Sequence, residues 1–176
     1  MERQGQRNRW VYDALSYAPR LDLSVGPFNV TRERRDEDRA LIAQRAEHPL
    51  MAYLRHAVMQ QNHGGFFQNQ NPRCMLAIEL EYSTSSKHIL GGITNASLLG
   101  HMAVIIGSSV SIPKVRRIHA YACRLREVEK AHDDMFANVA CFEDAEFLAL
   151  LRGFTPNLTS RGSEREIRRR ADSSSD

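Results

Sequence analysis

A chain of 176 residues suffices for one domain of ordinary size and falls short of two packed domains with linkers. With 42% apolar and 26% charged residues, the composition excludes wholesale disorder, a collagen-like repeat and a disulfide-stapled scaffold. The net charge is +3, no apolar run approaches the roughly 18–20 residues of a membrane helix, and Met1 to Arg7 lack a signal-peptide core, so a soluble, cytoplasmic protein is expected.

Residues 8–17 space Trp10, Val11, Ala14, Leu15 and Tyr17 at helical intervals, and Pro19 should end that helix. Leu21 to Val25 alternates apolar and polar residues before Gly26-Pro27 turns the chain, which predicts a strand with Asp22 on its polar face. From Thr31 to Gln61 the chain is rich in helix formers interrupted at Pro49, as in one kinked helix or two. Asn62 to Arg73, with Gly64-Gly65 and repeated Asn and Gln, reads as a polar loop.

The second half alternates more regularly. Cys74–Tyr82 reads as a strand, Ser86–Gly100 as a helix and Met102–Gly107 as an apolar strand. Pro113–Lys130 then reads as a helix, Met135–Phe142 as a strand and Glu143–Arg152 as a closing helix ended by Gly153. Strands alternating with helices imply crossovers that give an α/β fold, with parallel strand pairs covered by helices. Residues 1–155 are expected to form one domain. The five arginines between Arg161 and Arg170, closing on Ala-Asp-Ser-Ser-Ser-Asp, suggest a flexible tail over 156–176.

The three cysteines, Cys74, Cys123 and Cys141, are odd in number and lack Cys-x-x-Cys spacing, so they read as reduced, buried thiols. His56, His63, His88, His101 and His119 show no pair at metal-ligand spacing on one face and read as surface or structural residues. Nucleotide-binding glycine loops and the Gly-x-Ser-x-Gly elbow are absent from the sequence. Gly91-Gly92 inside a helix implies close backbone packing or a bend.

The chemistry concentrates in carboxylates. Along Met75 to Tyr82, the two-residue period puts Ala77, Glu79 and Glu81 on one face. Such spacing also occurs on an exposed sheet face with two solvated glutamates. Where the surroundings are apolar, however, two carboxylates so close repel and lose hydration unless a cation or proton compensates them. Two further features favour a site. Lys87 is one of only three lysines and stands in the first turn of a helix, where the dipole disfavours a cation. Asp22 is a third carboxylate on a strand flanked by apolar residues. Asp22, Glu79 and Glu81 offer hard oxygen ligands for Mg²⁺ or Mn²⁺, and Lys87 a cation to orient water or phosphate. A solvent-facing Lys87 is equally compatible with the sequence. Lys114, Arg116 and Arg117 open a basic helix that could contact nucleic-acid phosphates, or form a solvated face balanced by Glu127 and Glu129.

Pro19-Arg20-Leu21-Asp22, Ala77-Ile78-Glu79-Leu80-Glu81 and the helix–strand–helix that follows resemble the PD-(D/E)xK restriction-endonuclease-like superfamily over residues 8–152. The resemblance implies a three-layer fold with a mixed sheet flanked by helices, a helical insertion at 31–61, and a magnesium-dependent site. Asp22 and Glu79 match the two acidic ligand positions. Glu81 stands where the motif usually has lysine, and Lys87 occupies the following helix, from which some members take it. The expected function is a metal-dependent endonuclease or nuclease-like DNA-processing protein, acting on nucleic acid without a membrane partner, with a dimer mate or another protein able to supply specificity. The alternative is a catalytically inactive module of the same fold that binds nucleic acid or protein.

Overall fold

A computed structural model of the chain describes residues 20–28, 35–62, 65–69, 71–130 and 135–154. The helix expected over 8–17 and the tail expected over 156–176 lie outside these residues. The elements run β1 (Leu23–Phe28), α1 (Arg35–Arg45), α2 (Pro49–Gln61), β2 (Cys74–Leu80), α3 (Ser86–Leu99), β3 (Gly100–Gly107), α4 (Ile112–Cys123), β4 (Val139–Glu143) and α5 (Asp144–Phe154), with a 3₁₀ turn at Arg124–Arg126 after α4. Among the described residues the fold is therefore α/β: a four-stranded mixed open sheet flanked by five helices. None of these helices is long and apolar enough to cross a membrane.

Local chemistry sets several boundaries. Asp36, Glu37 and Asp38 open α1 and Arg45 closes it, each on the end of the helix dipole that favours its charge. Pro49 starts α2 instead of kinking a continuous helix, because a proline in the first turn forfeits no intrahelical bond. His48 caps it, its Nδ1 accepting the Leu50 N–H at 3.2 Å. At Gly100, where α3 passes directly into β3, an added Cβ would come within 2.3 Å of the Met102 carbonyl oxygen and 2.8 Å of Ala77 Cβ. Only glycine fits that junction.

Two expectations about strands are corrected. Gly26-Pro27 does not turn the chain: both residues lie inside β1, and the irregularity appears as a register shift between Val25 and Phe28. The last strand begins at Val139 instead of Met135, since residues 135–138 form turns. Asn138 dictates this, because its buried amide donates to the carbonyls of Ser97 at 2.9 Å and Gly100 at 3.2 Å. A buried amide needs such partners, and meeting them overrides the strand propensity of its neighbours.

The sheet order is β1-β2-β3-β4, with β1 antiparallel to β2 and the last three strands parallel. Alternation divides the core in two. On one face Ile89 and Ile93 of α3 and Val115 of α4 pack on Ala77, Ala103, Ile105 and Val139. On the other, Met51, Leu54 and Val58 of α2 and Phe147 of α5 pack on Leu76, Ile78, Val104 and Phe142. Helix, sheet and helix thus form three layers. Because β2, β3 and β4 run in parallel, their C-terminal ends share one edge of the sheet, and β1 begins at that same edge. Loops at this edge carry the residues to which the carboxylate pattern pointed.

Candidate functional site

The pairing of β1 with β2 sets Leu23 opposite Ile78, so the register continued by one residue sets Asp22 opposite Glu79. Cross-strand partners share a face. Asp22 stands one residue ahead of the strand instead of within it, and this frees its carboxylate to bend back, where Oδ2 accepts the Leu80 N–H at 2.8 Å. Its carboxyl group also lies within hydrogen-bonding reach of Glu79. Partial burial, with help from the charges of Asp22 and Glu81 and the hydrogen bond to Asp22, pushes the Glu79 carboxyl up to about 7. A proton shared between two carboxylates relieves the same repulsion that a bound cation would relieve.

Glu81 follows the end of β2. Its N–H still pairs with the Ile106 carbonyl at 2.7 Å, and its own carbonyl accepts Ser111 Oγ–H at 2.8 Å. Gly107 permits that approach, since a Cβ there would lie 2.7 Å from Ser111 Oγ and 3.2 Å from the Glu81 carbonyl oxygen. Glu81 is only 6% exposed, with Oε1 accepting the Ser83 N–H at 2.9 Å and Oε2 lying 3.7 Å from His88 Nδ1. Both glutamates approach α3 at Gly92: a methyl there would stand 3.7 Å from Glu81 Oε2 and 3.9 Å from Glu79 Cβ. The packing implied by the double glycine is thus an ordinary contact of Gly92 with carboxylates, whereas Gly91 has nothing within 4 Å.

Among the described residues, no group of three or more His, Cys, Asp or Glu side chains could hold a metal ion by itself. The three carboxylates expected as ligands resolve into a dyad, Asp22 with Glu79, and a neighbour, Glu81, engaged by Ser83 and His88. A dyad still suits magnesium, which is commonly bound through one or two carboxylates together with waters and substrate phosphates.

The basic residues divide in the same way. Lys87 is exposed and makes no ion pair with the three carboxylates. His88, not Lys87, is the first-turn residue of α3 that faces Glu81. A signal for it exists in the sequence: His88 and Gly92 are four apart and share a helical face, whereas Lys87 pairs with the exposed Gly91. Lys114 donates from Nζ to the Thr84 carbonyl and so lies beside the acidic edge. Arg116 reaches α5, with Nη2 at 3.2 Å from Glu146 Oε2 and 3.4 Å from the Cys141 carbonyl, and Arg117 is exposed. The three basic residues expected to contact phosphates thus face different surroundings. No protein family, curated protein or solved structure matches this chain.

Proposed function

We propose that the chain is a metal-dependent phosphodiester hydrolase of the restriction-endonuclease-like type, acting on nucleic acid, with Asp22 and Glu79 as the ligands of a magnesium or manganese ion. The observation that carries this reading is the convergence of Asp22 and Glu79 from distant parts of the chain at the C-terminal edge of the sheet. A half-buried Glu79 held against an exposed Asp22 costs stability unless a proton or cation joins them, so their juxtaposition has the donor chemistry of a hard-cation site.

When bound, a divalent ion would neutralise charge on the scissile phosphate and acidify an attacking water. The chain's own residues would do the rest. Asp22 is oriented by the Leu80 N–H, which leaves its second oxygen for the dyad. Glu81, aligned by Ser83 and backed by Ser111, draws the His88 imidazole to the acidic edge. Lys114, held by the Thr84 carbonyl, brings positive charge beside the edge where a phosphate would sit against the carboxylates.

The test is cleavage of single- and double-stranded DNA with Mg²⁺ or Mn²⁺. Wild type should cut, whereas Asp22→Asn and Glu79→Gln should each lose at least about a hundredfold in rate, the scale of removing one transition-state charge stabiliser. A wild type inactive on all substrates with both metals would overturn the reading. The exposure of Lys87, which makes no ion pair with the three carboxylates, favours as a second reading an inactive module of the same fold. Nucleic-acid binding indifferent to magnesium and to Glu79→Gln would support that module instead.

A further inference from the structure

Helix α4 has two unlike faces. Ile112, Val115, His119 and Ala122 are buried against the sheet. On the outward side the helical repeat lines up Arg117, Tyr121 and Arg124, and all three are exposed, Tyr121 by 60%. Ile112–Cys123 contains no Asp or Glu. The acids that could balance this face, Glu127 and Glu129, come at or after the end of the 3₁₀ turn, and neither forms an ion pair with Arg117 or Arg124. Among the described residues these two guanidinium groups are unpaired, whereas Arg116, on the flank of the helix, is engaged by Glu146.

The stripe has a direction. Lys114, one turn before Arg117, donates to the Thr84 carbonyl in the loop that leaves Glu81, so the first positive charge stands beside the acidic edge. From there to Arg124 the helix advances about 15 Å. Cations set along one line match the repeating phosphates of a nucleic-acid strand, and each such contact adds affinity by releasing a counterion. Charge alone would favour a duplex, which carries the denser row of phosphates. Tyr121, standing between the two arginines, reverses that preference. Its exposed ring offers a surface on which an unpaired base stacks, and a base inside a duplex cannot reach it.

We propose that the outward stripe of α4 binds single-stranded nucleic acid, with Arg117 and Arg124 on the phosphate backbone, Tyr121 stacked on a base between them, and Lys114 leading the strand to the acidic edge. Single strands are then the substrate class of the hydrolase proposed above, a step that rests on that reading. The binding itself needs neither a metal nor the carboxylate dyad. DNA and RNA single strands share this chemistry.

The experiment is fluorescence anisotropy of the full chain in EDTA, with labelled oligo(dT), its duplex with oligo(dA), and oligo(rU) of equal length. Oligo(dT) should bind at least about fivefold more tightly than the duplex. Tyr121→Ala should weaken oligo(dT) by at least about fivefold and leave the duplex nearly unchanged, while Tyr121→Phe, which keeps the ring, should bind as wild type. Arg117→Gln and Arg124→Gln should each flatten the salt dependence of oligo(dT) binding, log K against log [salt], by about 0.7. Arg73→Gln, an equal loss of charge at an exposed position beyond the other end of the sheet, should leave that slope unchanged. Tighter binding of oligo(rU) than of oligo(dT) assigns the stripe to RNA, weaker binding to DNA, and equal binding to strands of either sugar. A duplex bound as tightly as oligo(dT), oligo(dT) binding undiminished in Tyr121→Ala, or a slope reduced as much by Arg73→Gln as by Arg117→Gln overturns the proposal. Single-strand binding of the expected kind by a protein that cleaves no substrate leaves the stripe standing and overturns the hydrolase alone; cleavage by a protein that fails these binding tests does the reverse.

Discussion

Asp22, one residue ahead of β1, stands opposite Glu79 of the antiparallel β2 with the two carboxyl groups in hydrogen-bonding reach, although one precedes two helices and the other follows them. The consequence is thermodynamic. A carboxyl raised to about 7 in the folded state, against 4.5 as its ordinary value, binds a proton more tightly folded than unfolded. That stabilisation is complete below about pH 4.5 and is lost as pH rises through 7.

The metal-free protein should therefore melt at a lower temperature at pH 8 than at pH 5.5, through a Glu79 contribution of order 1 kcal/mol after discounting for a half-exposed carboxyl. Glu79→Gln should flatten this dependence, and millimolar Mg²⁺ should restore stability at pH 8 in wild type but not in the variant. Calorimetry across the pH range checks all three outcomes. A wild-type profile indistinguishable from that of Glu79→Gln contradicts the shared proton.

The helical face of α3 makes a second prediction. His88 and Gly92 lie over the glutamates, so His88→Ala should reduce cleavage more than Lys87→Ala. Gly92→Ala should fold and gain up to about 1 kcal/mol, because the new methyl makes ordinary contacts and glycine is a poor helix former. Gly92→Leu should fold as well but crowd the carboxylates and lose activity. Rates measured beside melting temperatures separate the two effects.

Behind Glu81, Ser111 and Gly107 act as a brace. Ser111→Ala removes a buried hydrogen bond to the Glu81 carbonyl and should cost about 1–2 kcal/mol in chemical denaturation. Gly107→Ala should cost more, since its Cβ would displace Ser111 itself. Equal losses in the two variants would show that the turn relaxes freely.

The thiols should be quiet. Burial pushes Cys74 up to about 11 and Cys141 up to about 12, so neither supplies thiolate near neutral pH. Cys123 lies 3.3 Å from His119 Nε2, but that nitrogen also lies 3.0 Å from the Phe136 carbonyl, which can only accept. A nitrogen that donates its hydrogen there cannot take the Cys123 proton. Iodoacetamide should therefore label the native protein only slowly and only at Cys123, with Cys74 and Cys141 reacting after unfolding, as mass spectrometry would show.

Much of the fold was legible because the parallel strands are continuous apolar runs and the helices between them have clear start signals. Met102 to Gly107 and Pro113 are examples, and the structure adds Gly100, His101 and Ile112 to those elements. The errors arise where long-range partners decide. Nothing local to Met135 says that Asn138 will seek the Ser97 and Gly100 carbonyls, and nothing in Gly26-Pro27 says that β2 will pair with Val25 and Phe28 on either side of them. The Glu79–Glu81 face was readable from the two-residue period, and Asp22 from its apolar flanks. Lys87 drew attention by its rarity, whereas the helical repeat from Gly92 points to its neighbour His88.

Among the described residues β1 lies at the margin of the sheet, and this has a consequence for how the molecule behaves among its own copies. An unpaired strand margin displays free backbone donors and acceptors and invites another chain to add to it. Leu23, Val25 and Phe28 would make that addition more favourable, since all three are exposed. Pro27 works against it, because it has no N–H to offer a newcomer, and the register shift between Val25 and Phe28 breaks the even spacing that a fifth strand would need. The strand that leads out of Asp22 is thus also the place where the sheet is prevented from growing.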